Sequence, residues 1–415
     1  MGSTSSTSSM SAPTPTQPAA WPDARAAARD LGDAIARDHR TGSLSHQLAL
    51  PAARGATLAT ELVAPVNLPG NDSAAMDGYA LRGPGPWTVV ERVLAGRNPQ
   101  ISTLAVGEAV EVATGAPVPA HTDCVLPYER ARRTHDQLTG QPEPGRHVRR
   151  RGEDVRAGSV VLSAGTAITP AVVGLAASLG YDELPVRRPG VCLLMTGDEV
   201  RDAGTPGVGE VRDAIGPVLP GVAHWAGGGV LWRQHLRDDP ALLGAAITSA
   251  RTETEAPVIV VAGASSAGPA DHLRAVLGDL GAQMVVDGVA CRPGHPQLLA
   301  VLRAGQAPPA LVVGLPGNPY AALAAAVTLL VPAVSACAGR SDPGRAPQLR
   351  LPLRQQVQPH ERDTRLVAVR IEDGVATALG RDRPASLWGA AQADALAVLP
   401  PAWTGSDVEL LWLPH

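Results

Sequence analysis

The sequence predicts a multidomain protein of mixed class. It should hold a parallel α/β domain, a β domain inserted on a helical stalk, and a small C-terminal β domain. Three observations predict this. After about Arg188 a strand, a glycine-rich loop and a helix recur three times, the pattern of a parallel sheet covered by helices. Residues 47–148 are rich in Pro, Gly and β-branched residues and carry short alternating runs such as Trp87-Thr88-Val89-Val90. Short alternating strands return after about Asp342. The chain has 415 residues, too many for a single hydrophobic core.

Taken in order, residues 1–20 form a Ser/Thr/Pro tail expected to be disordered. Its start, Met1-Gly2-Ser3-Thr4-Ser5-Ser6, matches a myristoylation pattern, read here as a chance match in a biased tail. Residues 21–46 and 149–187 make up the stalk. From Pro22 to about His46 the apolar spacing of Ala27, Leu31, Ala34 and Ile35 predicts a helix. Thr169-Pro170 supplies an N-cap and first-turn proline for a second helix, and Gly180 its stop. The second helix is expected to pack back on the first, leaving residues 47–148 as the insertion.

Residues 188–341 form the α/β domain. The strand 191–195 runs into Thr196-Gly197-Asp198-Glu199. The strand 258–262 runs into Gly263-Ala264-Ser265-Ser266-Ala267-Gly268 and a helix from about Ala270. The strand 311–315 runs into Pro316-Gly317-Asn318-Pro319 and an alanine-rich helix. In such sheets ligands bind beyond the carboxyl ends of the strands, so the three loops point to one shared site. Residues 342–415 form the C-terminal β domain, with strands expected at 349–353, 366–371, 395–399 and 408–412.

Composition fits a soluble enzyme. Hydrophobic residues make up 45% and the net charge is −4, which argues against a nucleic-acid or membrane-surface binder. No apolar run is read as reaching bilayer length. The four cysteines lie far apart with no CxxC pair. That spacing fits a reducing cytoplasm and neither a zinc site nor a disulfide frame. There is no lysine and no phenylalanine, so all 35 basic residues are arginine.

The loops carry specific chemistry. Gly263 to Gly268 can turn backbone N–H groups toward an anion at a helix start, a candidate phosphate cradle. Ser266 adds a hydroxyl, and Asp271 a carboxylate in the first helical turn. A plain βα turn accounts for the same glycines equally well. No Ser-His-Asp ordering or GxSxG elbow is present.

Five runs occur in order: Asn71 to Ala80, Thr114-Gly115-Ala116-Pro117-Val118-Pro119, Arg151-Gly152-Glu153-Asp154, Thr196 to Glu199, and Gly314 to Ala322. In that order they resemble the molybdopterin molybdenumtransferases, called MoeA in bacteria and the gephyrin E domain in animals. The resemblance covers about residues 20 to 415. It implies Mg²⁺-dependent insertion of molybdate into adenylylated molybdopterin with release of AMP, in a homodimer, with a possible adenylyltransferase handing over the substrate. No nucleic acid or membrane partner is implied.

The resemblance gives catalytic roles to Asp77, Asp154, Glu199, Asp238 and Asp271, with Glu199, Asp238 and Asp271 as metal ligands. Each has an ordinary reading too: Asp77 caps a turn, Asp154 pairs with Arg149 to Arg151, Glu199 is solvated, Asp238 begins the next helix, and Asp271 suits a first helical turn. Crowded carboxylates repel, so a cluster implies a cation, and Mg²⁺ takes oxygen ligands shared with substrate phosphates. Substrate and phosphate contacts are implied at Thr114, Thr196, Gly197, Gly263, Ser265, Ser266, Gly268, Arg292, His295, Pro316, Gly317, Asn318 and Pro319. Arg292 is the candidate for holding the oxyanion.

The chain departs from the family's pattern at three places. Lys-Pro-Gly-Lys-Pro becomes Arg292-Pro293-Gly294-His295-Pro296. Gly-Gly-Val-Ser becomes Gly263-Ala264-Ser265-Ser266. Asp-Ser/Thr-Asn becomes Asp213-Ala214-Ile215. These changes keep open a divergent or tungstate-using variant, or an inactive paralogue serving as a pterin-binding scaffold.

Overall fold

The computed structural model describes residues 17–39, 44–264, 272–303, 305 and 307–414. The expectations for Ser265, Ser266, Gly268 and Asp271, and for most of the N-terminal tail, lie outside these residues. The tail's last two residues, Ala19–Ala20, form a strand paired in parallel with Val289 and Ala290, so ordered chain begins before residue 21.

The first helix spans Trp21–Asp38, with Pro22 in its first turn. It ends before the predicted His46, and a strand follows at Ser45–Ala49. Its buried face is Trp21, Ala24, Arg25, Ala28, Gly32 and Ile35, one step round from the predicted stripe. Ala27 and Leu31 flank that face, half-buried. The shift has a physical cause: the stripe includes a glycine and an arginine, which apolar periodicity ignores.

This helix does not lie on the second stalk helix. It packs on the long helical run Pro319–Cys337, made of α-helix, a π-helical turn at Ala326–Leu330 and α-helix again. The approach is close enough that a Cβ on Gly32 would lie 2.3 Å from the Ala333 carbonyl oxygen. Trp21 Nε1 donates to Thr328 Oγ1 at 3.1 Å, and Cys337 Sγ donates to Gly32 O at 3.2 Å. Arg25 donates to the Val327 carbonyl and forms a buried ion pair with Asp342.

The run Pro319–Cys337 has 19 residues and a mean hydropathy of 1.9. By length and composition it could cross a membrane, which corrects the reading that no apolar run is that long. It is wholly buried inside the protein, as a central core helix apolar on all sides should be.

The second stalk helix, Pro170–Ser178, is capped as its sequence predicts. Thr169 Oγ1 accepts from Val172 N at 3.3 Å, and Gly180 takes a positive φ of 89° at its end. Its buried Val172 and Ala176 pack with Leu58, Leu184 and Val186. The strand Glu183–Arg187 pairs with both Ser45–Ala49 and Thr57–Leu58, and Val160–Leu162 pairs with Leu62–Val63. The two chain segments flanking the insertion are therefore stitched together by short strands as well as helices. The insertion has its own six-stranded sheet, running from Ala131–Thr134 at one edge to Cys124–Pro127 at the other.

The α/β sheet has six strands. Gly229–Leu236, Gly190–Thr196, Val258–Ala262 and Ala310–Leu315 are parallel neighbours in that order. Leu298–Leu302 and then Gln283–Asp287 extend the sheet antiparallel. Sequence reading identified only the three central parallel strands. The C-terminal sheet joins Thr364–Glu372, Ala395–Leu399, Asp407–Trp412 and Arg345–Pro352. It is extended by Val289–Arg292, which leaves the α/β region to pair in parallel with Thr364–Glu372. That borrowed strand ties the two regions together beside the α/β sheet edge.

Candidate active site

Three neighbouring parallel strands end in register, with Met195 beside Ala262 and Ala262 beside Leu315. Thr196, Gly263 and Pro316 therefore leave the sheet at one edge. The loops interlock there. Gly263 N donates to Leu315 O at 3.2 Å, and Thr196 Oγ1 donates to Ala262 O at 3.2 Å. Gly263 has φ of 110°, and a Cβ on it would lie 2.6 Å from Thr196 O. Only glycine allows both the conformation and the approach. Gly197 (φ 137°) likewise makes room for the Glu199 carboxylate.

Above this edge opens a cavity of about 940 Å³. Of the predicted residues, Thr196, Glu199, Gly263, Arg292, His295, Pro316, Gly317, Asn318 and Pro319 line it. Gly197 supports the wall without lining it; its carbonyl bonds His235 Nε2 at 2.8 Å.

Asp238 does not line the cavity. Its Oδ2 accepts from Asp198 N at 3.2 Å. The helix Pro240–Thr252 is capped by Asp239, whose Oδ1 accepts from Ala241 N and Leu242 N. The helix-starting role that Asp238 had as an alternative thus belongs to its neighbour.

Asp77, Thr114 and Asp154 do not line the cavity. Asp77 and Thr114 meet each other on the insertion: Asp77 Oδ1 accepts from Thr114 N at 2.6 Å and from Thr114 Oγ1 at 2.9 Å. These two bonds, the backbone one foremost, hold the Asp77 carboxyl below its ordinary range. Asp154 is exposed, its N–H bonded to Leu68 O at 3.0 Å. The nearby Arg150 pairs with Asp72 instead, at 2.7 Å.

Among the lining residues that were not predicted are Asp213, Cys291, Arg365 and Asp382. Asp213 is buried, and its Oδ1 accepts from Ile215 N at 2.9 Å and Gly216 N at 2.7 Å. The departure at Ala214 and Ile215 thus leaves the turn intact. Burial, then the nearby Asp363, pushes the Cys291 thiol up to about 12, so it is an inert wall and no nucleophile. Arg365 and Asp382 come from the C-terminal domain, where no local motif marks them.

Three arginines line the cavity, and their commitments differ. Arg365 donates Nη1 to Gln358 O and Nη2 to Asp382 Oδ2. Arg212 donates Nη1 to Arg201 O. Arg292 donates only Nε, to Asp363 Oδ2 at 2.7 Å. Among the described residues both of its amino groups are unengaged, and its side chain is 61% exposed.

For a divalent ion, Glu199 and Asp238 offer the oxygen donors that Mg²⁺ prefers. Among the described residues no three His, Cys, Asp or Glu side chains converge into a complete metal site. Of the two carboxylates, Glu199 lines the cavity and Asp238 does not.

Comparison with known proteins finds relatives over most of the chain. Residues 24–180 match the family profile described as MoeA N-terminal region (domain I and II), and residues 192–336 match the one described as Probable molybdopterin binding domain. Molybdopterin molybdenumtransferase 2 of Mycobacterium tuberculosis is 36% identical over 317 residues, covering 71% of this chain and 76% of that protein. The chain belongs to the molybdopterin molybdenumtransferase family. The family is one of transferases in molybdenum cofactor biosynthesis. The molybdopterin molybdenumtransferase of Synechococcus elongatus is also 36% identical, over 73% of this chain and 77% of its own length. In fold, a crystal structure described as molybdopterin biosynthesis moeA protein from Pyrococcus horikoshii OT3 superposes with a TM-score of 0.74 at 21% identity. It covers 96% of this chain and 100% of that one.

Proposed function

We propose that the chain inserts molybdate into adenylylated molybdopterin and releases AMP, with Mg²⁺ as cofactor. The observation that carries this reading is the single cavity at the sheet edge. It joins a loop edge, a carboxylate at Glu199 and the guanidinium of Arg292, whose two amino groups are unengaged among the described residues. The loops at Gly263 and Pro316 to Pro319 border the phosphates, with the backbone N–H groups of Gly317 and Asn318 as donors, since proline has none and the Gly263 N–H bonds Leu315 O. Arg292 holds the tetrahedral oxyanion, and His295 closes that side. Water attacks the adenylyl phosphorus and the phosphoanhydride P–O bond breaks, so AMP departs with the added oxygen and the pterin keeps its own phosphate. The two dithiolene thiols replace one molybdate oxygen, which leaves with their protons as water. The chain's contribution is alignment and charge stabilisation, with no covalent protein intermediate. Glu199 and Asp238, with Asp271, are the residues that would hold Mg²⁺, which when bound polarises the phosphoanhydride.

The same reading gives Asp77, Thr114 and Asp154 to a second chain's cavity. Asp77 and Thr114 sit on the insertion and Asp154 just beyond it, and none lines the cavity of its own chain, so a homodimer in which this region reaches the other copy's cavity supplies them. The chain works in the cytoplasm in this account, and an adenylyltransferase delivers its substrate. The test is product analysis after incubation with adenylylated molybdopterin, Mg²⁺, and molybdate or tungstate. Equal amounts of AMP and metal-loaded pterin support the reading, and the preferred oxyanion identifies the substrate. Tight pterin binding without AMP rejects it in favour of a scaffold.

A further inference from the structure

We infer that Asp363 is a positioning residue for the oxyanion, acting through Arg292. The inference rests on the role proposed for Arg292 above. Arg292 ends the borrowed strand Val289–Arg292, and its Cα partner in the C-terminal sheet is Arg365. Asp363, two residues before Arg365 and at the start of that strand, reaches across the pairing to Arg292 Nε at 2.7 Å. The anchor itself is fixed. Asp363 is 8% exposed, and its backbone N–H donates to His360 Nδ1 at 3.0 Å.

The chemistry follows from which nitrogen is taken. An arginine held by Nε alone keeps its two amino groups as a parallel pair of donors, the geometry that matches two oxygens of an oxyanion. A side chain 61% exposed would otherwise sample many rotamers, and freezing it on binding costs affinity. Asp363 supplies that order in advance. It also offsets the positive charge beside it, but on so exposed a guanidinium the charge effect is screened and orientation dominates. The neighbouring Arg365 cannot take the same role, because both its amino groups are committed to Gln358 O and Asp382.

The test is steady-state AMP release at varied molybdate for the full-length protein and three variants. Asp363→Ala should raise KM for molybdate about tenfold, the scale of one charge-assisted hydrogen bond, with kcat at saturating molybdate little changed. Asp363→Asn, which keeps an acceptor for Nε, should recover most of that loss. If Asp363→Ala fails to fold, the Asp363→Asn and Arg292→Ala pair still decides the matter. Asp363→Asn should then keep KM well below that of Arg292→Ala. An unchanged or lowered KM in Asp363→Ala, while Arg292→Ala raises it, overturns the inference and leaves the site reading standing. A loss of kcat and thermal stability with KM unchanged also overturns it, as a purely structural role. An unchanged KM in Arg292→Ala itself instead refutes the role proposed for Arg292.

Discussion

Arg292 and Asp363 are 71 residues apart in sequence and joined by one ion pair of 2.7 Å. That contact ties the α/β side of the cavity to the C-terminal β domain, which also lines it with Arg365 and Asp382. The pair also changes what should happen when the family's lysine is restored. On the motif alone, Arg292→Lys should preserve or raise activity. In the structure an ammonium bonded to Asp363 keeps two donors, but they diverge from one nitrogen and cannot form the parallel pair that the guanidinium offers the cavity. Arg292→Lys is expected to lower kcat/KM for molybdate about tenfold, the effect of losing one charge-assisted bond. Activity at or above wild type would show that the guanidinium fork is not used.

Gly32 gives a stability test away from the site. Replacing an interior helix glycine with alanine ordinarily gains about 0.5–1 kcal/mol. Here the new Cβ would lie 2.3 Å from Ala333 O and 2.9 Å from Ala336 Cβ. Overpacking of this kind costs about 1–3 kcal/mol, and backbone cannot swing aside as a side chain can. Gly32→Ala should therefore lower the denaturation midpoint. A rise in stability would mean that the two helices are not in contact there.

Tyr128 on the insertion gives a pH test. Burial, then its hydrogen bond to Glu111 at 2.9 Å, pushes its phenol up from the usual 10.0 to about 12. A raised value in the folded state means the protonated form is favoured by folding. Its stabilising contribution is complete below about 10 and is lost as pH rises toward about 12. An ultraviolet difference titration of wild type against Tyr128→Phe should show this late phenol, and Glu111→Gln should move it down. A midpoint at the ordinary value in wild type would contradict the contact.

The dimer reading is open to complementation. Asp77→Ala and Glu199→Ala should each abolish AMP release while leaving the fold intact. Mixed and reassembled, they should recover part of the activity, because one mixed dimer site keeps both residues. No recovery from a confirmed mixed dimer would place Asp77 outside the partner's cavity.

Much of this site was legible in the sequence. Thr196-Gly197, Gly263 and Pro316 to Pro319 stand out because a strand followed by glycine is a local signal. Thr169 and Gly180 mark their helix ends for the same reason. What was hidden is non-local. Nothing near Val289 says that this strand leaves its own domain to pair with Thr364–Glu372, so Arg365, Asp363 and Asp382 could not be placed. Residues 47–63 read as part of the insertion because composition shows a β region but not its strands' partners. The buried face of the first helix was missed by one step, because Gly32 and Arg25 serve a close helix crossing and a buried ion pair.

The most direct test of the central claim is AMP release from adenylylated molybdopterin, titrated with molybdate, for wild type and Glu199→Ala. A saturable, oxyanion-dependent rate in wild type and none in a folded Glu199→Ala is the predicted result. Wild-type release that ignores the oxyanion, or full activity in Glu199→Ala, would contradict the assignment of this cavity as the active site.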